Sequence, residues 1–236
     1  MELAEVRAVA FDLDNTLWDI EPVIERAEAH LIAWLREHFP LIPQRFPLEA
    51  MRAARAALAA EQPHRAHDLT WLRTASLARH ARECGYHDSL AARAFEVFFA
   101  ARNRLEPYPD VQPALARLRA RYLLATLSNG NADLGRIGLA AQFSVSLSAR
   151  EVGAAKPDPR CFERLSRALE LAPHQVLYVG DDPQADVEGA RRAGLATAWL
   201  NRSGRSWPPE LARADLVIAD CHELAEALLA VPPARC

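Results

Sequence analysis

The sequence predicts an α/β protein in which a parallel sheet is built from βα repeats and an all-helical segment is inserted after the first strand. The first observation is an apolar run from Val6 that ends at two acids, Asp12 and Asp14. The second is a series of helical patterns over 22–104, and the third is a βα alternation that begins after 107–109. Such alternation implies parallel strands with right-handed crossovers, so the first strand belongs with the later ones. We therefore expect one domain from residues 1–16 and 106–236 and a second, helical domain from residues 17–105.

The individual elements follow from hydrophobic periodicity. Apolar residues recur at helical spacing, with charged residues between them, in four segments, which are 22–38, 48–60, 68–83 and 89–104. Breaks containing Pro or Gly separate these segments. Beyond 109 we expect a helix over 111–120. Further strands are expected near Leu123, Phe143, Val176, Ala196 and Leu216.

Composition describes an ordinary soluble protein. The chain has 236 residues, of which 50% are hydrophobic and 25% charged, enough for a large core plus a second domain. The formal net charge of -3 does not indicate a basic surface for binding nucleic acid. The first apolar run is too short for a signal peptide or a membrane span. The cysteines lack Cys-x-x-Cys spacing and are expected to be free thiols in a reducing cytoplasm: Cys84, Cys161, Cys221 and Cys236. We expect a cytoplasmic monomer or homodimer with no nucleic-acid or membrane partner.

The paired acids Asp12 and Asp14, followed by Thr16, stand where the first strand ends. In an open α/β sheet, ligands bind outside the carboxyl ends of the strands. Taken alone, Asp-x-Asp-x-Thr is a weak signal, since Asp, Asn and Thr also favour turns and helix caps.

Three later segments support a functional interpretation. Ser128-Asn129-Gly130 follows a β-prone run and offers a hydroxyl and backbone N–H groups to a phosphate oxygen. Lys156 precedes Pro157, which opens a helical pattern and leaves the lysine in the loop as a point charge. Gly180-Asp181-Asp182, with Asp186 beyond it, ends another strand and offers hard oxygen ligands to a divalent cation.

These four segments resemble, in order and in spacing, the four signature motifs of the haloacid dehalogenase superfamily, over about residues 6–199. The resemblance implies a Rossmann-like three-layer core around a central parallel sheet. The helical insertion resembles the cap domain that one subgroup of the superfamily carries between motifs one and two.

The resemblance also implies roles for individual residues. Asp12 would be the nucleophile that forms an aspartyl-phosphate, and Asp14 the acid and base that serves the leaving group and then water. Mg²⁺ would bind Asp12, the main-chain carbonyl of Asp14 and Asp181, with Asp186, or less directly Asp182, completing or orienting the site. The phosphoryl oxygens would be held by Ser128, Asn129 and Lys156. In the dehalogenases that name the superfamily, the position equivalent to Asp14 is not an acid, because halide leaves without a proton. Asp14 therefore favours a phosphatase.

Substrate choice is expected to depend on the helical insertion. Trp18, at its entrance, and the segment His67-Asp68-Leu-Thr-Trp71-Leu-Arg73 are candidate substrate-binding residues. The simpler interpretation is that Asp68 caps a helix and Trp71 belongs to a core. The segment also resembles one in bacterial phosphatases of riboflavin biosynthesis, which act on 5-amino-6-(5-phosphoribitylamino)uracil and FMN. Any small phosphorylated metabolite, such as phosphoglycolate or a nucleoside monophosphate, is the main alternative; a phosphosugar mutase and a non-catalytic binding protein are others.

Overall fold

The computed structural model describes residues 3–231, and the chain divides into two units. The α/β unit takes the chain up to Asp19, then Glu106–Gly130, and then the chain from Gly138 onward. The helical unit holds Ile20–Leu105 and a short second segment, Asn131–Ile137. The sequence placed that second segment in the core. Its assignment to the helical unit means that the chain crosses between units just after Gly130.

A six-stranded parallel sheet forms the α/β unit, in the order β3-β2-β1-β4-β5-β6. The strands are β1 (Ala8–Phe11), β2 (Leu123–Ser128), β3 (Val145–Ser148), β4 (Val176–Gly180), β5 (Ala196–Leu200) and β6 (Leu216–Ile218). Numbered in chain order, the helices are α1 (Glu21–His38), α2 (Leu41–Arg45), α3 (Leu48–Glu61), α4 (Leu69–Glu83), α5 (Leu90–Arg102), α6 (Val111–Leu118), α7 (Leu134–Ile137), α8 (Ala149–Val152), α9 (Pro159–Leu169), α10 (Gly189–Arg192) and α11 (Cys221–Ala230). The predicted α/β class with a parallel sheet is confirmed.

The sheet is covered on both faces. Every residue of β1, β4 and β5 is buried, which is typical of parallel strands that lie between layers of helices. On one face, Phe162 of α9 packs into a cluster with Ala8, Ala10 and Tyr178. Because β1 is central and the chain order reverses about it, the edge beyond Phe11 is the crevice in which doubly wound folds bind ligands.

The helical unit has its own apolar core. Its members include Leu31 and Leu35 of α1, Leu77 of α4 and Phe98 of α5. The four predicted helices match α1, α3, α4 and α5 to within a few residues. The sequence missed the five-residue helix α2, which lies in the Pro-bearing break after α1.

A buried carboxylate joins three helices of this unit. Glu28 of α1 is 1% exposed and accepts hydrogen bonds from Arg52 at 2.6 and 2.9 Å and from Arg55 at 2.8 Å, both on α3. Arg73 of α4 approaches the same carboxylate to 3.4 Å, and its guanidinium lies 3.5 Å from the centre of the Phe98 ring. A cation over an aromatic face and a shared anion both stabilise this arrangement.

One local expectation of the sequence needs correction. The helix after Lys156 begins at Pro159, not at Pro157, because Asp158 is its N-cap and accepts from the Arg160 N–H at 2.9 Å. After Asp181 the chain forms a π-helical turn, Pro183–Glu188, and then the short α10.

Two further properties concern cysteines and membranes. Cys84, Cys161 and Cys221 are free thiols, as expected, and Cys236 lies outside the described residues. Within residues 3–231, the structure contains no helix with both the length and the apolar character needed to cross a bilayer.

Candidate active site

Three neighbouring strands bring the predicted residues to one edge of the sheet. Asp12 follows β1, Ser128 ends β2, and Asp181 follows β4. Since β1 pairs in parallel with both β2 and β4, these carboxyl ends meet at the same edge. The Asp12 N–H donates to the Val179 carbonyl at 2.8 Å, so the hydrogen bonding between β1 and β4 extends to the backbone of Asp12.

The loop after Asp12 closes on itself and holds Asp14. Asn15 has a φ of 63°, a left-handed conformation that Asn adopts more readily than most residues, and its N–H donates to the Trp18 carbonyl at 2.7 Å. The Trp18 indole N–H donates to Oδ1 of Asp14 at 2.8 Å. Trp18 is fully buried, so in this structure it supports Asp14; direct contact with substrate stays a prediction for this residue. Thr16 is also buried, and its carbonyl accepts from Arg202 at 3.1 Å, so this residue braces the loop.

Lys156 is the hub of the site. Its Nζ donates to Oδ1 of Asp12 at 2.6 Å, to Oδ1 of Asp186 at 2.6 Å and to the Tyr178 hydroxyl at 2.8 Å, so its three protons have three acceptors. Burial disfavours the ammonium, but the two carboxylates outweigh it and raise the pKa of Lys156 well above its ordinary value. A buried and permanently charged ammonium therefore lies against the predicted nucleophile.

The loop that carries Lys156 is tied to the end of β2. The Lys156 N–H donates to Oδ1 of Asn129 at 2.8 Å, and the Asn129 amide donates back to the Lys156 carbonyl at 3.0 Å. Oγ of Ser128 accepts from the Gly130 N–H at 3.0 Å. Binding of phosphoryl oxygens by Ser128, Asn129 and Lys156 stays a prediction, and the structure adds that the Asn129 side chain positions Lys156.

The acids after β4 have different surroundings. Both oxygens of Asp186 are engaged, Oδ1 by Lys156 and Oδ2 by the Asp182 N–H at 3.0 Å. Asp182 is an N-cap, since its Oδ1 accepts from the Gln184 and Ala185 N–H groups at 2.8 Å each. Gly180 is needed because any side chain there would overlap the Asp186 carboxylate. The described geometry thus separates Asp182, a structural residue, from Asp181 and Asp186.

Asp12, Asp181 and Asp186 form a carboxylate cluster that fits a divalent cation. One ligand atom from each lies within 4.8 Å of the others. Burial, together with Asp186, raises the pKa of Asp12 to about 8 and that of Asp181 to about 6, although Lys156 opposes both shifts. Both shifts disfavour the charged carboxylates, and a bound Mg²⁺ would favour them. Hard oxygen donors at this separation are the ligands that such a cation prefers.

Within the helical unit, the candidate residues lie at or near the start of α4. Asp68 is the N-cap of α4 and accepts from the Trp71 N–H at 2.9 Å, as the simpler interpretation predicted. Trp71 is not part of a core, since it is only half-buried, and the Arg65 guanidinium lies 4.8 Å from its ring centre. His67 is also half-buried, and Arg73 belongs to the Glu28 cluster. A role for His67, Trp71 and Arg73 in substrate binding stays a prediction.

Sequence reasoning missed Tyr178. Its hydroxyl accepts from Lys156 and donates to the Leu127 carbonyl at 2.6 Å, so it links β4 to β2 beneath the site. The one signal was a tyrosine within the otherwise apolar run of β4, because a buried phenol requires a hydrogen-bond partner. Nothing local in the sequence indicates which partner that is.

The family model for haloacid dehalogenase-like hydrolases matches residues 6–194, a range that contains every residue of the carboxylate cluster, and Lys156. The chain belongs to this family. The resemblance drawn from the motifs is confirmed, and the protein is a haloacid dehalogenase-like hydrolase.

Individual relatives of this hydrolase include both phosphatases and dehalogenases. The chain is 44% identical over 154 residues to a phosphoserine phosphatase of Thermus thermophilus, covering 62% of this chain and 61% of that protein. It is 30% identical to the 5-amino-6-(5-phospho-D-ribitylamino)uracil phosphatase YigB of Escherichia coli over 84% of each protein. The crystal structure of a 2-haloacid dehalogenase from Pseudomonas syringae superposes with a TM-score of 0.90 at 36% identity, covering 95% of this chain and 98% of that one.

Proposed function

We propose that this hydrolase is a Mg²⁺-dependent phosphatase that acts on a small phosphomonoester through an aspartyl-phosphate intermediate. The observation that carries the proposal is the acid Asp14, which lies two residues along the chain beyond Asp12 of the carboxylate cluster. Two of the reported relatives are named phosphatases.

In the first step, a carboxylate oxygen of Asp12 attacks phosphorus. The bond from phosphorus to the ester oxygen breaks, and the proton of Asp14 goes to the departing alkoxide. In the second step, Asp14 takes a proton from water, whose oxygen attacks phosphorus and releases Asp12 and inorganic phosphate. The hydrogen bond from the Trp18 indole keeps the Asp14 carboxyl oriented through both steps. Lys156 neutralises charge near the attacking oxygen.

Asp12 and Asp181 would hold Mg²⁺ with their side chains and Asp14 with its main-chain carbonyl, and Asp186 would complete or orient the site. The bound cation would neutralise charge between the nucleophile and the phosphate dianion. Burial and the Asp186 carboxylate raise the pKa of Asp12, and a bound cation would favour its charged form, which is the nucleophile. Hydrolysis should therefore require Mg²⁺ and stop in excess chelator. Ca²⁺, which takes looser and higher coordination, should bind and inhibit.

The similarity to a 2-haloacid dehalogenase makes dehalogenation the competing activity. A halide leaves without a proton, so the step that releases it needs no acid at position 14. Asp14→Asn therefore separates the two functions. It should depress phosphate release by about 10²–10⁴-fold, the usual contribution of a general acid, and it should leave halide release within a single turnover unchanged, because that step needs no proton.

The helical unit is proposed to be a cap that recognises the leaving alcohol. Support comes from the half-buried aromatic and polar groups at the start of α4, where Trp71 could stack on a planar ring. Within the phosphatase class we propose a flavin-pathway substrate, either 5-amino-6-(5-phosphoribitylamino)uracil or FMN. The similarity to YigB over most of both chains supports this choice.

A phosphate-release screen tests the proposal directly. Purified protein with Mg²⁺ is assayed against the ribitylaminouracil phosphate, FMN, phosphoserine, phosphoglycolate, nucleoside monophosphates and phosphosugars, and halide release is measured with 2-chloropropionate. The flavin-pathway proposal is wrong if both of its substrates turn over more slowly than generic phosphosugars. The phosphatase proposal is wrong if 2-chloropropionate is hydrolysed and no phosphomonoester is.

A further inference from the structure

The loop after β5 brings an arginine to the carboxylate cluster from outside the four motifs. The loop is closed by reciprocal hydrogen bonds, since the Asn201 amide donates to the Arg205 carbonyl at 2.9 Å and the Arg205 N–H donates to Oδ1 of Asn201 at 2.9 Å. Gly204 has a φ of 65°, which permits the tight return of the chain before Arg205. The loop therefore presents the Arg205 side chain in a defined direction.

Arg205 meets Asp181 at two atoms. Its Nη2 donates to the main-chain carbonyl of Asp181 at 2.8 Å and lies 3.2 Å from Oδ2 of the same residue. The Trp199 indole N–H donates to that carbonyl as well, at 2.9 Å, and the Trp207 ring packs edge-on against Trp199 with centroids 5.0 Å apart. The main-chain carbonyl of Asp181 therefore accepts from both Arg205 and Trp199, and one of its carboxylate oxygens accepts from Arg205.

The other carboxylate oxygen of Asp181, Oδ1, accepts no hydrogen bond from the residues that the structure describes. Asp181 thus has one oxygen fixed by protein and one available to a cation. This is the arrangement of a metal-binding carboxylate with a hydrogen-bonded outer partner. By contrast, both oxygens of Asp186 accept hydrogen bonds from Lys156 and Asp182.

We propose that Arg205 is a positioning residue that orients the Asp181 carboxylate for the divalent cation. The inference rests on the proposed function, because it assumes that Asp181 binds Mg²⁺. It adds a residue that none of the four motifs contains. It also gives the loop between β5 and β6 a role in positioning a metal-binding carboxylate.

The alternative is that Arg205 only neutralises the charge of the Asp181 carboxylate and so competes with the cation for it. The two interpretations predict opposite effects on cation binding. If Arg205 orients the carboxylate, its removal weakens Mg²⁺ binding; loss of such outer partners commonly costs about 10–100-fold in metal affinity. If Arg205 merely competes, its removal strengthens Mg²⁺ binding. Stability without metal should change little in either case, because the Arg205 side chain is 52% exposed.

The test measures Mg²⁺ binding to the whole protein by calorimetry and by tryptophan fluorescence, for which Trp199 is a local reporter through its hydrogen bond to Asp181. We expect Arg205→Ala to raise the Mg²⁺ dissociation constant by about 10–100-fold. Arg205→Lys keeps the charge but not the planar fork and should fall between Arg205→Ala and wild type. The matched control is Arg167→Ala, which removes an exposed arginine that pairs with Glu163 at 3.3 Å on α9. It should bind Mg²⁺ like wild type.

Melting temperatures in chelator separate positioning from loss of structure. The proposal requires that Arg205→Ala melt close to wild type in chelator while its Mg²⁺ affinity falls. Mg²⁺ binding that is unchanged or tighter in Arg205→Ala overturns the proposal and leaves the phosphatase assignment intact. If Arg205→Ala does not fold, an affinity in Arg205→Lys equal to that of wild type overturns it equally. Failure of the wild type to bind Mg²⁺ instead overturns the proposed function, and the inference with it.

Discussion

Replacing Glu28 with Gln should destabilise the helical unit by about 3 kcal/mol, within the range for breaking a buried ion pair. Gln keeps the size and shape of Glu28 but removes the charge that three guanidiniums share. The magnitude is set mainly by Arg55 and Arg73, whose side chains are 18% and 11% exposed and cannot readily turn to water. A charge-assisted hydrogen bond to such a partner contributes about 1.5–3 kcal/mol. Arg52 is 40% exposed, so its guanidinium can be resolvated and adds little.

The stability difference between wild type and Glu28→Gln should also depend on pH. Hydrogen bonds and charge from Arg52, Arg73 and Arg55 outweigh burial and lower the pKa of Glu28 from its ordinary value of 4.5. A carboxyl whose pKa is depressed by folding contributes stability above its unfolded pKa, and that stability is lost as the pH falls through the folded pKa. The difference between wild type and Glu28→Gln should therefore be full at neutral pH and shrink below about pH 4.5.

Urea unfolding at several pH values measures this difference, and amide hydrogen exchange within α1 locates it in the helical unit. Glu61→Gln is the matched control, because Glu61 pairs with Arg79 at 2.9 Å on the same unit but in an exposed position. It should leave the unfolding midpoint within error. A loss of less than about 1 kcal/mol in Glu28→Gln, the level of a surface pair, would refute the reasoning.

Three further predictions concern the site. Asp12→Asn should reduce turnover by at least several orders of magnitude while thermal unfolding stays near wild type; substantial residual hydrolysis would show that another group is the nucleophile. Gly180→Ala should abolish Mg²⁺ binding measured by calorimetry, because the added methyl group displaces the Asp186 carboxylate; retained affinity would mean that Asp186 is not needed for the cation. Trp71→Ala and His67→Ala should change the ratio of kcat/KM for FMN to that for phosphoglycolate by a factor that corresponds to about 1–3 kcal/mol, and they should leave hydrolysis of a minimal aryl phosphate little affected. A decrease by one common factor for all substrates would contradict a cap that selects among substrates.

The carboxyl ends of the strands were predictable because the residue types change there from apolar to polar or glycine. A short apolar run that stops at Asp12, at Ser128 or at Gly180 combines strand propensity with polar residues, and parallel pairing then brings all three ends to one edge. The long helices were predictable for the same reason, since their periodicity extends over more than ten residues. Lys156 was placed near this edge by its resemblance to a family motif.

Contacts between distant segments were not predictable from a local pattern. The hydrogen bond from Arg205 to Asp181 and that from Lys156 to Tyr178 join segments 24 and 22 residues apart and depend on the packing of neighbouring strands. The buried position of Glu28 is a similar case, because its helical pattern alone is that of a solvated acid. The short helix α2 escaped notice since two prolines at its start and middle indicate a break.

The crossing of the chain just after Gly130 determines how this protein can be recombined with its relatives. Asn131 donates to the Thr70 hydroxyl at 3.2 Å, and the Asp133 N–H donates to Oδ1 of Asn103 at 2.8 Å, so the segment Asn131–Ile137 is anchored on residues of the insertion. A chimera that exchanges only Ile20–Leu105 would separate this segment from both anchors, directly downstream of Ser128 and Asn129. Grafting a foreign helical unit onto this scaffold, or transplanting this one, therefore requires that both stretches be exchanged as a set.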